Sequence, residues 1–214
     1  MSVLLEGKGW DGGTVGSGVA AGLSLAKDKS LRVSQAHGDW FEASRRGAVF
    51  IGATAVTGVD HAATNTTTAP FALFNPQGSD VDLVVLELSM GYISGTIGAG
   101  NVICTQYVVG NAANAPPTGT AIVATPARLG TAISKGRPLT TVTLTAAGTV
   151  MYPIFDLAPK LATSVVEPLP KVWRPNGAII IPPATALVLT GIAGAAGTSP
   201  LVMFGVIWEE VSNQ

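Results

Sequence analysis

The sequence predicts an all-β protein, an antiparallel jelly-roll-like sandwich preceded by an extended N-terminal arm. Three observations favour this class. The 214 residues include 26 Gly and 14 Pro, which interrupt every run long enough for a substantial helix. Short runs rich in Val, Ile and Thr lie between these breakers, as is typical of strands. No sustained 3.6-residue period of apolar residues is present, so amphipathic helices are not expected to form the core.

Residues 1–46 differ in composition from the rest of the chain and are predicted to form the arm. They contain half of the 12 Lys and Arg residues, and they are rich in glycine. From Gly47 to Ala127 the chain has no Lys or Arg at all. We therefore expect residues 47–214 to form the packed β-sandwich domain.

Eight strands are predicted, each bounded by turn residues. In chain order they are Ala48–Thr57, Pro70–Phe74, Asp82–Ile93, Val102–Val109, Thr140–Val150, Ala178–Ile181, Ala186–Thr190 and Leu201–Val211. Two short helices are also predicted, at Asp39–Arg46 and Thr125–Ser134. In the fifth strand, Thr140, Val142 and Leu144 alternate with exposed threonines, as a half-buried strand requires. Eight antiparallel strands suit a jelly roll.

Composition and charge exclude several classes of function. The net charge is −1 and only 12% of residues are charged, so no long-range field attracts nucleic acid or an anionic membrane. The single cysteine, Cys104, excludes an internal disulfide and a multi-thiolate metal site. The uncharged stretches Leu88–Ala127 and Pro175–Trp208 are broken by Pro and Gly, so neither predicts a membrane span. We expect no nucleic acid, membrane or cofactor as a partner.

Three patterns that can carry chemistry or a modification fit structural roles better. Gly7–Gly12 matches GxGxxG, but more glycine follows where a dinucleotide site needs a helix. Cys104 can in principle pair with His37 or His61 as a nucleophile, yet it lies in an apolar run that is typical of a core strand. The sequon Asn65–Thr67 is interpreted as part of a polar loop.

The acidic residues likewise do not predict a catalytic or metal site. Asp80, Asp82 and Glu87 offer fewer oxygens than calcium requires. Glu209 and Glu210 are adjacent on the last strand, so they point to opposite faces and cannot act as an acid–base pair. Their charges suit blocking of an exposed strand edge or pairing with an arginine of a neighbour. The sequence therefore predicts no enzyme activity.

Aromatic and arginine residues mark two candidate interfaces, because such side chains bury large areas and form forked hydrogen bonds. The first candidate is Trp40 and Phe41 with Arg45 and Arg46. Its alternative role is a hydrophobic staple that holds the arm on its own domain. The second candidate is Trp173 with Arg174.

Four short segments occur in a recognisable order along the chain. An aromatic-Glu-Ala segment with basic residues lies at Trp40–Gly47, and an NPQGS turn follows at Asn75–Ser79. The end of the chain carries IIIPP at Ile179–Pro183 and WEE at Trp208–Glu210. This order resembles a group of structural proteins from tailed bacteriophages, and the resemblance covers residues 47–211 in outline together with the segment just before them.

The resemblance implies a jelly-roll-like virion subunit made in the host bacterial cytoplasm and located on the capsid exterior. It implies a capsid decoration (cement) protein that self-associates, as a homotrimer, and docks on the major capsid protein or other virion proteins. The alternative is a fibre, spike or tail-associated β module that binds host-surface carbohydrate, which the aromatic content of 6% disfavours. One departure is the acidic turn at Ser79–Asp82, where related sequences often carry Gly-Lys-Asn.

Overall fold

The computed structural model describes residues 38–61, 64–96, 100–157, 171–193 and 198–213. Within these ranges the chain forms two antiparallel β-sheets packed as a sandwich, which confirms the predicted all-β class. The chain divides into a unit of residues 1–41 and a unit of residues 42–214, and the sandwich belongs to the second. Most of the predicted arm, residues 1–37, and the GxGxxG pattern with His37 lie outside the described residues.

The elements of the described chain are one short α-helix, a 3-10 turn at Asn111–Ala113 and a series of strands. They are α1 (Phe41–Arg45), β1 (Val49–Ala53), β2 (Val59–Asp60), β3 (Thr68–Asn75), β4 (Val81–Thr96), β5 (Gly100–Val108), β6 (Thr118–Ala121), β7 (Thr125–Pro126), β8 (Arg137–Thr143), β9 (Thr149–Leu157), β10 (Lys171–Trp173), β11 (Ile179–Ile181), β12 (Thr185–Ala193) and β13 (Thr198–Ser212). In this part of the chain, no helix has the length and apolar character of a membrane span.

The first sheet has the strand order β10-β4-β13-β1-β7, with β11 also pairing with β4 and β2 with β13. The second has the order β6-β8-β3-β12-β5-β9. The ladder between β4 and β13 is the longest and runs from Thr96 opposite Thr198 to Val81 opposite Ser212. The last strand of the chain is therefore a central strand of its sheet.

The main core lies between the two sheets. Alternate residues of β13, from Val202 to Trp208, are buried and face this layer. Trp208 stacks on Phe50 of β1 with ring centroids 6.0 Å apart. Phe204 meets Phe71 of the opposite sheet at 6.3 Å. The period-2 alternation of this strand therefore supplies the contacts that hold the sheets together.

A second apolar cluster covers the outer face of the second sheet along β3 and β12. Phe74, Val188 and Tyr107 are buried there. The Tyr107 hydroxyl donates to the carbonyl of Ala115, 2.7 Å away, in the segment that follows β5. Both faces of β3 and β12 are covered. The sequences of these strands are therefore nearly continuous apolar runs, without an alternation of apolar and polar residues.

One polar side chain joins the two sheets. Asn75, at the end of β3, is fully buried, and its Nδ2 donates to the carbonyls of Val81 (2.8 Å) and Ile181 (2.9 Å). Both acceptors belong to the first sheet. The Asn of the NPQGS turn and the last Ile of IIIPP, two of the segments behind the phage resemblance, therefore meet through a hydrogen bond.

Two predicted elements differ from the structure. The predicted helix at Thr125–Ser134 is wrong, because Thr125 and Pro126 form β7 and pair with β1. The single predicted strand Thr140–Val150 is wrong in extent, because β8 ends at Thr143 and β9 begins at Thr149. The alternation is confirmed, with Val142 and Leu144 buried. The short helix predicted at Asp39–Arg46 is confirmed as α1.

Candidate interaction surfaces

The loop between β7 and β8, residues 127–136, is fixed to the sandwich at both ends. At its end, the Glu210 carboxylate accepts hydrogen bonds from the Ser134 hydroxyl (2.6 Å) and from the backbone N–H groups of Lys135 (2.8 Å) and Gly136 (3.0 Å). At its start, the N–H of Ala127 donates to the Val49 carbonyl, 2.8 Å away. The loop is therefore anchored to the sandwich at both ends.

This fixed loop exposes two large aliphatic side chains almost completely. Leu129 is 88% exposed and Ile133 is 89% exposed. Val123, just before β7, is 82% exposed. Single exposed apolar residues are ordinary, but several on one ordered segment mark a contact site. We call the surface formed by Leu129, Ile133 and the adjoining arginines Arg45, Arg46 and Arg128 the loop surface.

Two of the three arginines of the loop surface form ion pairs within the chain, and the third bonds a backbone carbonyl. Arg128 Nη1 donates to the Arg45 carbonyl at 2.9 Å, which ties the loop to α1. Arg45 Nε lies 2.9 Å from the Glu42 carboxylate, and Arg46 Nη2 lies 3.4 Å from that of Glu209. Such exposed pairs add little stability. The pairs of Arg45 and Arg46 do offset two of the three positive charges, so less unpaired charge remains for a partner to desolvate.

The structure places the first predicted cluster at and around α1. Arg45 and Arg46 belong to the loop surface just defined. Phe41 is 41% exposed, and Trp40 is half-buried in the preceding turn. The assignment of these four residues to an interface stays a prediction.

The second predicted cluster lies where β9 and β10, edge strands of the two sheets, meet. Trp173 stacks on Tyr152 with centroids 5.7 Å apart and an interplanar angle of 15°. Arg174 Nε donates to the Glu87 carboxylate at 2.8 Å. Tyr152 itself is 55% exposed. We call this region, with the exposed neighbours of Tyr152 on β9, the edge surface.

Backbone features of β9 disfavour the addition of another strand there. Its pairing with β5 contains two register irregularities, and it carries Pro153, which has no N–H to donate. Lys171 Nζ also reaches the Asp156 carbonyl near the end of the strand. Natural sheets protect edges with such devices. The edge surface can therefore dock a partner through side chains better than through a continued sheet.

The residues that the sequence singled out for chemistry or modification, Cys104, His61 and Asn65, have the following surroundings in the described chain. Cys104 is buried, and burial raises the pKa of its thiol to about 12. Burial lowers the pKa of His61, an effect that the nearby Asp60 carboxylate partly opposes. In the described ranges, no three His, Cys, Asp or Glu side chains come together as a metal site. Asn65 donates to the Gly148 carbonyl at 2.9 Å within a loop.

The predicted carboxylates take part in separate contacts. Asp80 lies 3.5 Å from Lys135 Nζ, while Glu87 binds Arg174. Glu209 and Glu210 bind partners on different elements, as their opposite directions require. The interpretation that they block a strand edge is wrong, because β13 lies between β4 and β1.

Sequence reasoning missed Leu129 and Ile133, the most exposed large apolar side chains of the described chain. A signal was present, since both occur in a short Gly- and Ser-containing segment flanked by Arg128 and Lys135. Apolar residues in such a segment have no regular strand to bury them.

The chain was compared with protein-family models, with curated proteins and with solved structures, and none of the three comparisons gives a match.

Proposed function

We propose that this protein is a non-enzymatic structural subunit of a tailed-phage virion. It decorates and cements the capsid shell through self-association, as a homotrimer, and through docking on the major capsid lattice. The observation that carries the proposal is the pair Leu129 and Ile133, almost fully exposed on a loop that Glu210 holds in place. The order of the four segments that resemble phage structural proteins supports the virion as the site of assembly.

The energetics favour a contact of this kind. Burying Leu129 and Ile133 in a partner contributes about 1.5–3 kcal/mol for each side chain. Because both ends of the loop are already anchored, docking costs less conformational entropy than it would for a free segment. The ion pairs around it resemble the polar rim of a protein interface. Several such contacts in one assembly raise the total affinity through high effective concentration.

The test of self-association uses sedimentation velocity on the full-length chain at micromolar concentration. We expect the wild type to sediment as a trimer and the double variant Leu129→Asp/Ile133→Asp as a monomer. The matched control is Val56→Asp, since Val56 is also a highly exposed aliphatic residue but lies in the turn after β1. A trimer that survives the double variant contradicts the proposed role of the loop surface.

The test of location is electron microscopy of particles that carry labelled subunits. Hundreds of copies on the shell support decoration. A handful at a fibre or tail supports the competing assignment, a tail-associated module that binds host carbohydrate. Particles that never contain the protein contradict both assignments.

A further inference from the structure

A groove of about 560 Å³ lies between the two sheets, away from both interaction surfaces. It is formed by β2 and Leu201 of the first sheet and by the ends of β3 and β8 of the second. Its polar lining residues are Asp60 and the five threonines Thr64, Thr66, Thr68, Thr141 and Thr143, and the hydroxyls of Thr66 and Thr68 lie 3.2 Å apart. Val59, Pro70 and Leu201 add apolar surface. The groove therefore combines many hydroxyl groups with an apolar part.

One lining residue has an unfavourable backbone conformation. Thr141 has φ of +52°, in the left-handed region that β-branched residues rarely occupy. It lies at a β-bulge, since two residues of β8, Thr141 and Val142, stand opposite the single residue Gly119 of β6. A Cβ on Gly119 would lie 2.8 Å from the Thr140 carbonyl oxygen. The bulge therefore favours glycine at this position of β6.

A side-chain hydrogen bond lies next to the bulge. The Thr140 hydroxyl donates to the carbonyl of Pro70 on the neighbouring strand at 3.0 Å. Bulges redirect side chains, and strained residues are kept where they serve a site. A glycine at position 141 would adopt this φ without strain. Threonine at this position therefore places a side chain on the wall of the groove at the cost of backbone strain.

The chemistry of the lining selects the class of ligand. Asp60 is the only charged residue of the described lining, so an anionic ligand finds repulsion and no cation to bind it. One carboxylate with hydroxyls falls short of the six to eight oxygens that calcium takes. Hydroxyl groups both donate and accept, and a carboxylate accepts two donors. These groups match a ligand that carries many hydroxyl groups and no charge.

We propose that the groove is a binding site for a neutral saccharide, held by Asp60 and the threonine hydroxyls with a C–H face of the sugar on Val59 and Leu201. This site is independent of the loop and edge surfaces. Its existence does not depend on the virion assignment, because it is argued only from the groove.

The experiment is saturation-transfer difference NMR on the full-length protein. The probes are glucose, galactose, mannose, N-acetylglucosamine and their common disaccharides at millimolar concentration. We expect transfer to at least one of these sugars. Asp60→Asn and Thr141→Gly should each weaken its binding about tenfold, the loss of roughly one good hydrogen bond. Thr149→Ala, an exposed threonine on β9, is the control and should leave binding unchanged.

A second readout separates a ligand site from a purely structural bulge. Thr141→Gly should raise the midpoint of urea unfolding, because it relieves the strained backbone. Higher stability together with weaker sugar binding supports the proposal. Higher stability with unchanged binding overturns it, as does the absence of transfer from every sugar to the wild type. Neither outcome affects the trimer test, which probes a different surface.

Discussion

Replacing Asn75 tests whether a buried amide holds the two sheets together. Its Nδ2 donates at 2.8 Å to the carbonyl of Val81 and at 2.9 Å to that of Ile181, and the side chain is fully buried. Alanine removes both donors. The buried Ile181 carbonyl then loses its amide partner, whereas the partly buried Val81 carbonyl keeps a hydrogen bond from the Ser79 hydroxyl at 3.4 Å. A buried acceptor that loses its partner costs about 1–3 kcal/mol.

The magnitude follows from counting these groups. The buried Ile181 carbonyl at about 2 kcal/mol and the partly buried Val81 carbonyl at about 1 kcal/mol give about 3 kcal/mol of destabilisation. The Asn75 Oδ1 has no hydrogen-bond partner, so its removal returns about 1 kcal/mol. Asn75→Ala should therefore lower the free energy of unfolding by about 2 kcal/mol. With a urea m-value of about 2 kcal/mol/M, the unfolding midpoint should fall by about 1 M.

Asn75→Asp provides a sharper version of the same test, since it preserves shape and removes both donors. At pH 7 the new carboxylate would face two carbonyl oxygens, so we expect it to be less stable than Asn75→Ala. On acidification the carboxyl gains a proton and can donate again, so stability should recover relative to the wild type. The control is Asn101→Ala, at an exposed position of β5, which should change stability by less than about 0.5 kcal/mol. A loss below about 0.5 kcal/mol for Asn75→Ala would refute the reasoning.

Further predictions concern buried groups and the two ends of the chain. The Cys104 thiol, whose pKa burial raises to about 12, should not react with a thiol reagent at pH 8 until the protein unfolds, which a timed colour assay in urea can measure. Because burial lowers the pKa of His61, the unfolded chain binds its proton more readily; stability should fall as the pH drops below 6.5, and His61→Gln should flatten that part of the urea-midpoint profile. Glu210→Ala should expose loop 127–136 to limited proteolysis while the sandwich stays folded, and unchanged cleavage would contradict its role as an anchor. Deletion of residues 1–36 should leave a folded sandwich that no longer joins particles, and normal incorporation would contradict a gripping role for the arm.

The strands that could be predicted are those whose local pattern and tertiary environment agree. In β13 the uninterrupted apolar run from Val202 to Trp208 predicts a strand, and the structure shows that every second residue of it fills the layer between the sheets. In β8 the alternation of Val142 with threonines matches burial on one side only. A period of two fixes the face of a strand once the sheet exists, so local sequence is sufficient there.

The segments that could not be predicted depend on distant partners. Thr125 and Pro126 occur in a stretch that permits a helical turn, but Phe50 and Ile51 offer them a strand to pair with. Leu129 and Ile133 have the composition of core residues, and their exposure follows only from the anchoring of the loop by Glu210, 77 and more positions further along the chain. Local propensity contains no information about such contacts.

The low charge of the chain also constrains how its copies can assemble. Because the net charge is only −1, no strong electrostatic field steers the subunits toward each other. The association of subunits should therefore depend only weakly on salt concentration. Burying Leu129 and Ile133 yields about 3–6 kcal/mol, which is comparable to the lower range of the free-energy cost of bringing two proteins together. A single contact of this kind is therefore weak. In a closed ring of three, each subunit makes two contacts. The contact that closes the ring forms between subunits that the other two contacts already hold together. Sedimentation should accordingly show monomer and trimer with little dimer between them, and a stable dimer would show that the contacts do not close into a ring.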